Sequence, residues 1–440
     1  MPRPSLNRDI LRLAVPALGA LIAEPAFLIV DAALVGHLGT VPLAGLGIAS
    51  AVLQTFVGLM VFLAYSTTPA VARRFGAGKP GDAVSVGIDG MWLALGLGAV
   101  LAGIGAWSSP WLVGLFGAGD AVAEQADTYL VISMWGLPAM LVVFAATGLL
   151  RGMQDTVTPL WIAGCGFAAN AGLNALFIYG FGWGIAGSAL GTVAAQWAMV
   201  AAYVVVVGRL ARRHDASIRA ELSGIRGSAR AGGWLFLRTV SLRVALLATV
   251  SVATGIGTEE LAAWQVVFTV FSAAAFALDA LAIAAQALIG KSLGAGDESG
   301  ARQVLRRTVA WGTWFGVLVG VIVGGFSGVI GLVFTGDPGL ADLIRPALIV
   351  LAVAQPVAGI VFVLDGVLMG AGDARYLAVA GALNLIVFLP VLAVIAATGV
   401  GGMAGLVWLA VAFFGVYLLA RLATLGLRVR TGRWITVGAG

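Results

Sequence analysis

The chain is poor in charge, histidine and cysteine. Asp, Glu, Lys and Arg make up 10% of its 440 residues, whereas a soluble protein carries roughly 25%. The single cysteine, Cys165, excludes an intramolecular disulfide and a multi-cysteine metal site. The two histidines, His37 and His214, fall near predicted loops, and no HExxH motif is present. We therefore expect no enzymatic activity, no metal site and no cofactor.

Long apolar runs fill the chain instead. It is 60% hydrophobic with a mean hydropathy of +1.03, and its apolar runs reach the roughly 20 residues needed to cross a bilayer. A β-barrel would show alternating segments of about 10 residues. The sequence thus predicts an all-α polytopic membrane protein with twelve spans. The predicted spans are 10–35, 44–68, 84–107, 129–150, 159–181, 186–208, 233–254, 262–289, 308–333, 344–369, 376–398 and 403–427.

The basic residues indicate an orientation. Nearly all of the 25 Lys and Arg residues lie near the termini and the even-numbered connections, whereas the odd-numbered loops hold only Arg345. This is the positive-inside pattern, and it predicts that both termini are cytoplasmic. We expect the protein in the plasma (inner) membrane. The high pI of 9.8 is then explained by the basic residues that orient the protein in the membrane. We expect the lipid bilayer and a small-molecule substrate as partners, no nucleic acid, and a monomer.

The two halves of the chain are related by an offset of about 218 residues. GLLRGMQD at 148–155 aligns with GVLMGAGD at 366–373, and Pro138 aligns with Pro356. Each half carries six spans, so the relating axis is a pseudo-two-fold along the membrane normal. We predict an N-lobe at 1–208, a cytoplasmic linker at 209–230 and a C-lobe at 231–440. Parallel repeats of this kind are typical of secondary transporters.

Two acids lie in the first span, and the repeat places uncharged residues at the equivalent positions. Glu24 and Asp31 are seven residues apart, so they share a helix face about 10 Å apart. Each would cost roughly 2.5–3.5 kcal/mol facing lipid at the bilayer centre. We interpret them as cation-coupling residues, with a static hydrogen-bonded role as the alternative. Pro16 and Pro25 remove backbone donors from this span and predict bending there.

Further polar residues lie inside predicted spans. Asn170 and Asn174 are four apart, share a face, and offer amide groups either to a cation or to a neighbouring helix. Gln54 and Tyr129 complete the predicted N-lobe cavity set.

The second half holds its own charges within spans. Arg238 and Arg243 lie on span seven, Asp279 on span eight and Asp365 on span ten. Arginine stays charged when buried, and depth along the helices pairs Arg238 with Asp365 and Arg243 with Asp279. This charge network is either a pair of structural salt bridges or an anion-binding or gating network.

Six stretches together resemble multidrug and toxic compound extrusion (MATE) transporters of the DinF-like branch, over essentially the whole chain. They are EPAFLIVDAALVGHLG at 24–39, RRFGAGKPGDA at 73–83, GLLRGMQDTVTPL at 148–160, NALFIYGFGWGIAGSALGT at 174–192, ALDALAIAAQALIGKSLGAG at 277–296 and FVLDGVLMGAGDARYL at 362–377.

The resemblance implies two six-helix lobes forming a V, and efflux by alternating access driven by H⁺ or Na⁺. It also implies that Asp31 is the coupling acid, Pro16 the bending proline and Asn170 a cavity neighbour. Asn174 stands where some members have a second acid, which leaves Na⁺ or single-acid coupling open.

We therefore predict an antiporter that exports small organic compounds or drugs in exchange for H⁺ or Na⁺. Alternatives of the same fold or superfamily are an exporter of citrate-like organic acids and a flippase for lipid-linked precursors. A passive channel fits the asymmetric acids less well than coupled transport does.

Overall fold

The computed structural model describes residues 6–438, without the side chain of Glu24. Nearly all of these residues are helical, because the apolar runs leave backbone groups no partner in lipid except their own helix. The helices of the first half are α1 Leu6–Gly36, α2 Thr40–Met60, α3 Phe62–Gly76, α4 Pro80–Gly114, α5 Asp120–Met134, α6 Leu137–Gly152, α7 Val157–Ala175 and α8 Gly184–Arg213. Those of the second half are α9 Leu222–Ile256, α10 Thr258–Gly294, α11 Glu298–Gly325, α12 Ser327–Phe334, α13 Pro338–Gly370, α14 Ala374–Thr398, α15 Gly402–Ala410 and α16 Leu418–Arg430.

Two short π-helical segments join consecutive α-helices. Leu176–Gly180 follows α7, and Val411–Tyr417 connects α15 to α16. Eleven continuous helical stretches of the described chain are long and apolar enough to cross a membrane. A twelfth span is the pair α5 and α6, which bends by 47° at its break. The all-α membrane fold predicted from the sequence is confirmed. The bend falls at Gly136, and Pro138 follows in the first turn of α6, where a proline cannot continue the preceding helix.

The described chain divides into two compact units. The first unit comprises Val15–Gly232, and the second comprises Gly233–Val437 together with the residues up to Ala14. Both α1 and α9 therefore contribute to each unit. Most of the predicted linker at 209–230 is helical, because α8 continues to Arg213 and α9 already begins at Leu222.

The repeat is visible in matching helix contacts. A Cβ on Gly98 of α4 would lie 2.5 Å from the Cα of Pro138 on α6, and one on Gly316 of α11 would lie 2.8 Å from the Cα of Pro356 on α13. Only glycine permits such a close approach of two backbones. Each unit thus packs its equivalent helices through the same glycine–proline contact.

The non-helical segment 214–221 is bonded to one face of α4 within the first unit. The backbone N–H of Glu221 donates to Oδ1 of the buried Asp89 at 2.8 Å, and that of Ser217 donates to the hydroxyl of Ser85 at 3.0 Å. The indole N–H of Trp92 donates to the carbonyl of Ile218 at 3.2 Å. These bonds satisfy backbone groups that no helix satisfies, and they fix the start of α9 against α4.

Candidate functional site

A buried carboxylate with three hydrogen-bond donors forms the centre of the first unit. Asp31 of α1 is only 4% exposed. Its Oδ1 accepts from the hydroxyl of Ser188 at 2.6 Å and from the amide of Asn174 at 2.7 Å. Its Oδ2 accepts from the hydroxyl of Tyr129 at 3.2 Å. A buried charge is tolerated when such donors replace water, so α5, α7 and α8 together hold the carboxylate of α1.

Two polar pairs connect the antiparallel helices α7 and α8 beside this carboxylate. Asn170 donates to the hydroxyl of Thr192 at 3.0 Å, and Asn174 lies 3.5 Å from the hydroxyl of Ser188. On each of the two helices, the two residues of these pairs are four positions apart and so share one face. Gly191 permits this approach, since a Cβ there would overlap Oδ1 of Asn174 and lie 2.9 Å from its backbone nitrogen.

The end of α7 also contacts α1. The π-helical segment begins two residues after Asn174, and its Tyr179 donates to the carbonyl of Leu34 at 2.6 Å. That carbonyl lies in the last turn of α1, where intrahelical partners run out. Single-turn π segments occur often at functional sites, and this one aims Tyr179 at α1 just beyond Asp31.

A cavity opens beside Asp31 between α1, α2, α5, α6, α7 and α8. Apolar side chains form most of its wall, among them the stacked rings of Phe27 and Phe167, whose centroids are 5.3 Å apart. The polar groups that line it are Asp31, Ser50, Gln54, Tyr129, Ser133, Asn170, Thr192 and Gln196. An apolar cavity with a few convergent polar groups is typical of a small-molecule site.

Most of the predicted first-half residues meet here. Gln54, Tyr129 and Asn170 line the cavity with Asp31, and Asn174 reaches it through its bond to Asp31. The carbonyl oxygens of Asn170 and Asn174 are buried without a hydrogen-bond partner among the described residues. They are oxygen atoms of the kind that hard cations bind.

The remaining predictions for the first span concern Glu24 and the two prolines of α1. The side chain of Glu24 lies outside what the structure describes. Pro16 and Pro25 both lie inside α1, which continues as one helix through them. The predicted role of these prolines in bending stays a prediction.

Sequence reasoning missed the two hydroxyl residues of α8 that bond to Asp31 and Asn170, which are Ser188 and Thr192. Small hydroxyl residues in a Gly- and Ala-rich span resemble ordinary packing residues. Their spacing of four, equal to that of Asn170 and Asn174 on the preceding span, was the available signal.

The second unit holds a buried charge cluster of two arginines and one aspartate. Asp365 of α13 is bound by both Nε, at 3.1 Å, and Nη2 of Arg238 on α9. Nη2 of Arg421 on α16 donates to the same carboxylate at 2.9 Å. The depth-based pairing of Arg238 with Asp365 is confirmed. Arg421 was missed because its position near the end of the chain made it look like an orientation charge.

The other predicted pair is wrong. Among the described residues there is no ion pair between Arg243 and Asp279, and the Arg243 side chain is exposed. Arg238 and Arg243 are five residues apart, which rotates them by about 140° around the helix. Since Arg238 faces Asp365, Arg243 points away from that side. Asp279 is half-buried on α10.

One stretch has the spacing of a hydrolase motif. GKSLG at 290–294 fits G-x-S-x-G, which in hydrolases lies on a strand-to-helix turn. Here these residues form the last turns of α10, so the exposed nucleophile of such a turn is absent from this stretch.

Known proteins are similar to this chain along most of its length. A sequence model of the MatE family matches residues 16–176 and 236–395. Protein DETOXIFICATION 44, chloroplastic, of Arabidopsis thaliana is 30% identical over 98% of this chain and 85% of its own length. DNA damage-inducible protein F of Escherichia coli is 28% identical over 67% of this chain and 65% of its own length.

Solved structures share the fold. The crystal structure of the Vibrio cholerae MATE transporter VcmN in the bent form aligns with a TM-score of 0.88 at 22% identity, over 98% of this chain and 99% of that one. The family model matches both halves of the chain, and the structural likeness shows that they share the fold of that transporter. The chain belongs to the MatE family of multidrug and toxic compound extrusion transporters.

Proposed function

We propose that this protein is an antiporter that exports small organic compounds in exchange for H⁺ or Na⁺, with Asp31 as its coupling residue. The observation that carries the proposal is the position of Asp31, buried at the wall of an apolar cavity with its oxygens held by Ser188, Asn174 and Tyr129. No Lys or Arg among the described residues forms an ion pair with this carboxylate, so its charge is one that a proton or a small cation can neutralise.

The coupling follows from differences in binding between states. Neutralising Asp31 weakens the bonds that join α1 to α5, α7 and α8, because each of those donors is held by the negative charge. A looser α1 changes the cavity wall to which Phe27 and Asp31 belong. An ion that binds one cavity shape better than another shifts the population by that difference in affinity, so ion entry and substrate release become linked.

The proposal includes the placement of the protein. We place it in the plasma membrane as a monomer with both termini in the cytoplasm. The distribution of Lys and Arg supports the cytoplasmic position of the termini. No catalytic step is part of the mechanism.

The test is transport by the purified protein in proteoliposomes with an imposed pH or Na⁺ gradient. Movement of a cationic dye driven by one gradient and abolished when that gradient is collapsed supports the proposal. Equal movement without any gradient would identify a passive pathway and contradict it.

A second candidate function, export of organic acids, is favoured by the charge cluster of the second unit. Arg238 and Arg421 share the single carboxylate of Asp365, so the cluster carries one positive charge in excess. Citrate, run in parallel in the same liposomes, separates the two. Gradient-driven citrate movement without dye movement favours the organic-acid exporter.

A further inference from the structure

An apolar groove lies on the surface of the first unit, apart from the cavity at Asp31. Its walls are α4 and α8, and one end is closed by Ile218 of the segment 214–221. The lining residues that matter here are Met91, Trp92, Leu95, Trp197, Val204 and Gly208. Trp197 and Gly208 are eleven residues apart on α8, so the groove is about 16 Å long, about half of the roughly 30 Å hydrocarbon core.

The closed end of the groove is built by specific bonds. Ile218 is 65% exposed and apolar, and its carbonyl accepts from the indole of Trp92. Ser217 and Glu221 on either side of it are bonded to Ser85 and Asp89. These bonds hold the segment in a position where the Ile218 side chain extends the apolar lining of the groove.

Positive charge is concentrated at this same end. Arg212 lies four residues after Gly208, so it continues the groove-lining face of α8 by one turn, about 6 Å further. Arg219 directly follows Ile218. Both side chains are exposed, and neither forms an ion pair within the described part of the chain.

The acids nearby leave this charge in excess. Residues 209–221 contain four arginines against Asp215 and Glu221. Asp89 is buried, with one oxygen bound to the N–H of Glu221. The groove therefore presents an apolar channel about one leaflet deep with free guanidinium groups at its surface end.

We propose that this groove is a binding site for an anionic phospholipid, with an acyl chain along α4 and α8 and the phosphate beside Arg212 and Arg219. An amphiphile matches this arrangement, whereas free phosphate would leave the apolar channel unused. Basic residues next to a membrane surface attract anionic headgroups. The apolar groove in addition holds the acyl chain of the lipid in one position.

A second apolar groove offers an internal comparison. It is lined by residues of α14, α15 and the following π-helical segment, including Val394, Trp408 and Val416. The sequence contains no Lys or Arg between 391 and 416. This groove has the apolar lining without the charge, so it should hold lipid with no headgroup preference.

The test is native mass spectrometry of the full-length protein in detergent, titrated with phosphatidylglycerol or phosphatidylcholine. Wild type should bind phosphatidylglycerol more tightly. The double variant Arg212→Gln/Arg219→Gln should bind it about 30-fold more weakly, as expected for two basic charges near an anionic headgroup. The control Arg306→Gln/Arg307→Gln removes two exposed arginines of α11 far from the groove in sequence and should change nothing.

A groove-filling pair tests the chain position separately. Val204→Trp fills the groove, whereas Val205→Trp changes a neighbour that is similarly exposed, at 51% against 54%, and does not line it. Only Val204→Trp should lose bound phosphatidylglycerol. Equal binding of the two lipids by wild type, or an unchanged preference in Arg212→Gln/Arg219→Gln or Val204→Trp, overturns the proposal.

Discussion

The amide nitrogen of Asn174 lies 2.7 Å from Oδ1 of Asp31 and joins α7 to the buried carboxylate of α1. A hydrogen bond to a charged group contributes about 1.5–3 kcal/mol. In Asn174→Ala the ionised carboxylate loses that support, so a coupling proton should bind more tightly and the half-saturating H⁺ concentration for transport should fall by roughly 10-fold or more. A coupling Na⁺ should instead bind more weakly, because the variant also removes the unpartnered carbonyl oxygen of Asn174.

The measurement is gradient-driven transport over a series of ion concentrations. The control is Asn384→Ala, which removes a buried asparagine of the second unit. An unchanged ion dependence in Asn174→Ala would show that the bond to Asp31 does not tune ion binding.

Gly191→Ala should disturb the same site through the backbone. The added Cβ would overlap Oδ1 of Asn174 and crowd its backbone nitrogen, so α7 and α8 must separate. Overpacking of this kind costs about 1–3 kcal/mol. We expect a lower unfolding temperature and reduced transport, whereas Gly172→Ala on α7, with nothing within 4 Å of its new Cβ, should keep both. Thermal unfolding in detergent and liposome transport measure the pair, and equal behaviour of the two variants would contradict the described packing.

Asp365→Asn should destabilise the second unit strongly. It removes the buried carboxylate that both Arg238 and Arg421 bind, a loss of about 3–5 kcal/mol. Asp373→Asn is the matched control, because its pair with Arg428 is more exposed, with side chains 16% and 22% accessible, and such pairs contribute about 0–1 kcal/mol. Chemical unfolding in detergent compares the two variants. A similar small effect of both would mean that water or another anion screens the buried cluster.

Asp89→Ala should release the segment 214–221 from α4. The variant removes the acceptor for the Glu221 N–H at the start of α9, and loss of such a capping acceptor costs about 1 kcal/mol. Limited proteolysis should cut this segment faster, while Asp82→Ala, at an exposed position of the same helix, should leave the cleavage rate unchanged. Equal cleavage rates in wild type, Asp89→Ala and Asp82→Ala would show that the bond to Asp89 does not hold the segment against α4.

The sequence predicted features that depend on length and depth along a helix. Apolar run length located the spans, because the bilayer sets it, and depth paired Arg238 with Asp365. The sequence-based pairing failed for Arg243, because the partner of a helical residue also depends on the direction in which its side chain points around the helix axis. It also failed where distant helices supply the partner, as Arg421 does for Asp365 and Ser188 for Asp31.

The central claim is that Asp31 carries the coupling ion. Its most direct test counts the H⁺ or Na⁺ released per molecule of transported substrate bound by the detergent-purified protein. Wild type should release ion on binding, as should Asp127→Asn, which alters a half-buried carboxylate of α5 bonded to Ser109. Asp31→Asn should bind substrate without releasing ion, because its side chain has no charge to neutralise. Release of the same number of ions by Asp31→Asn would contradict the account.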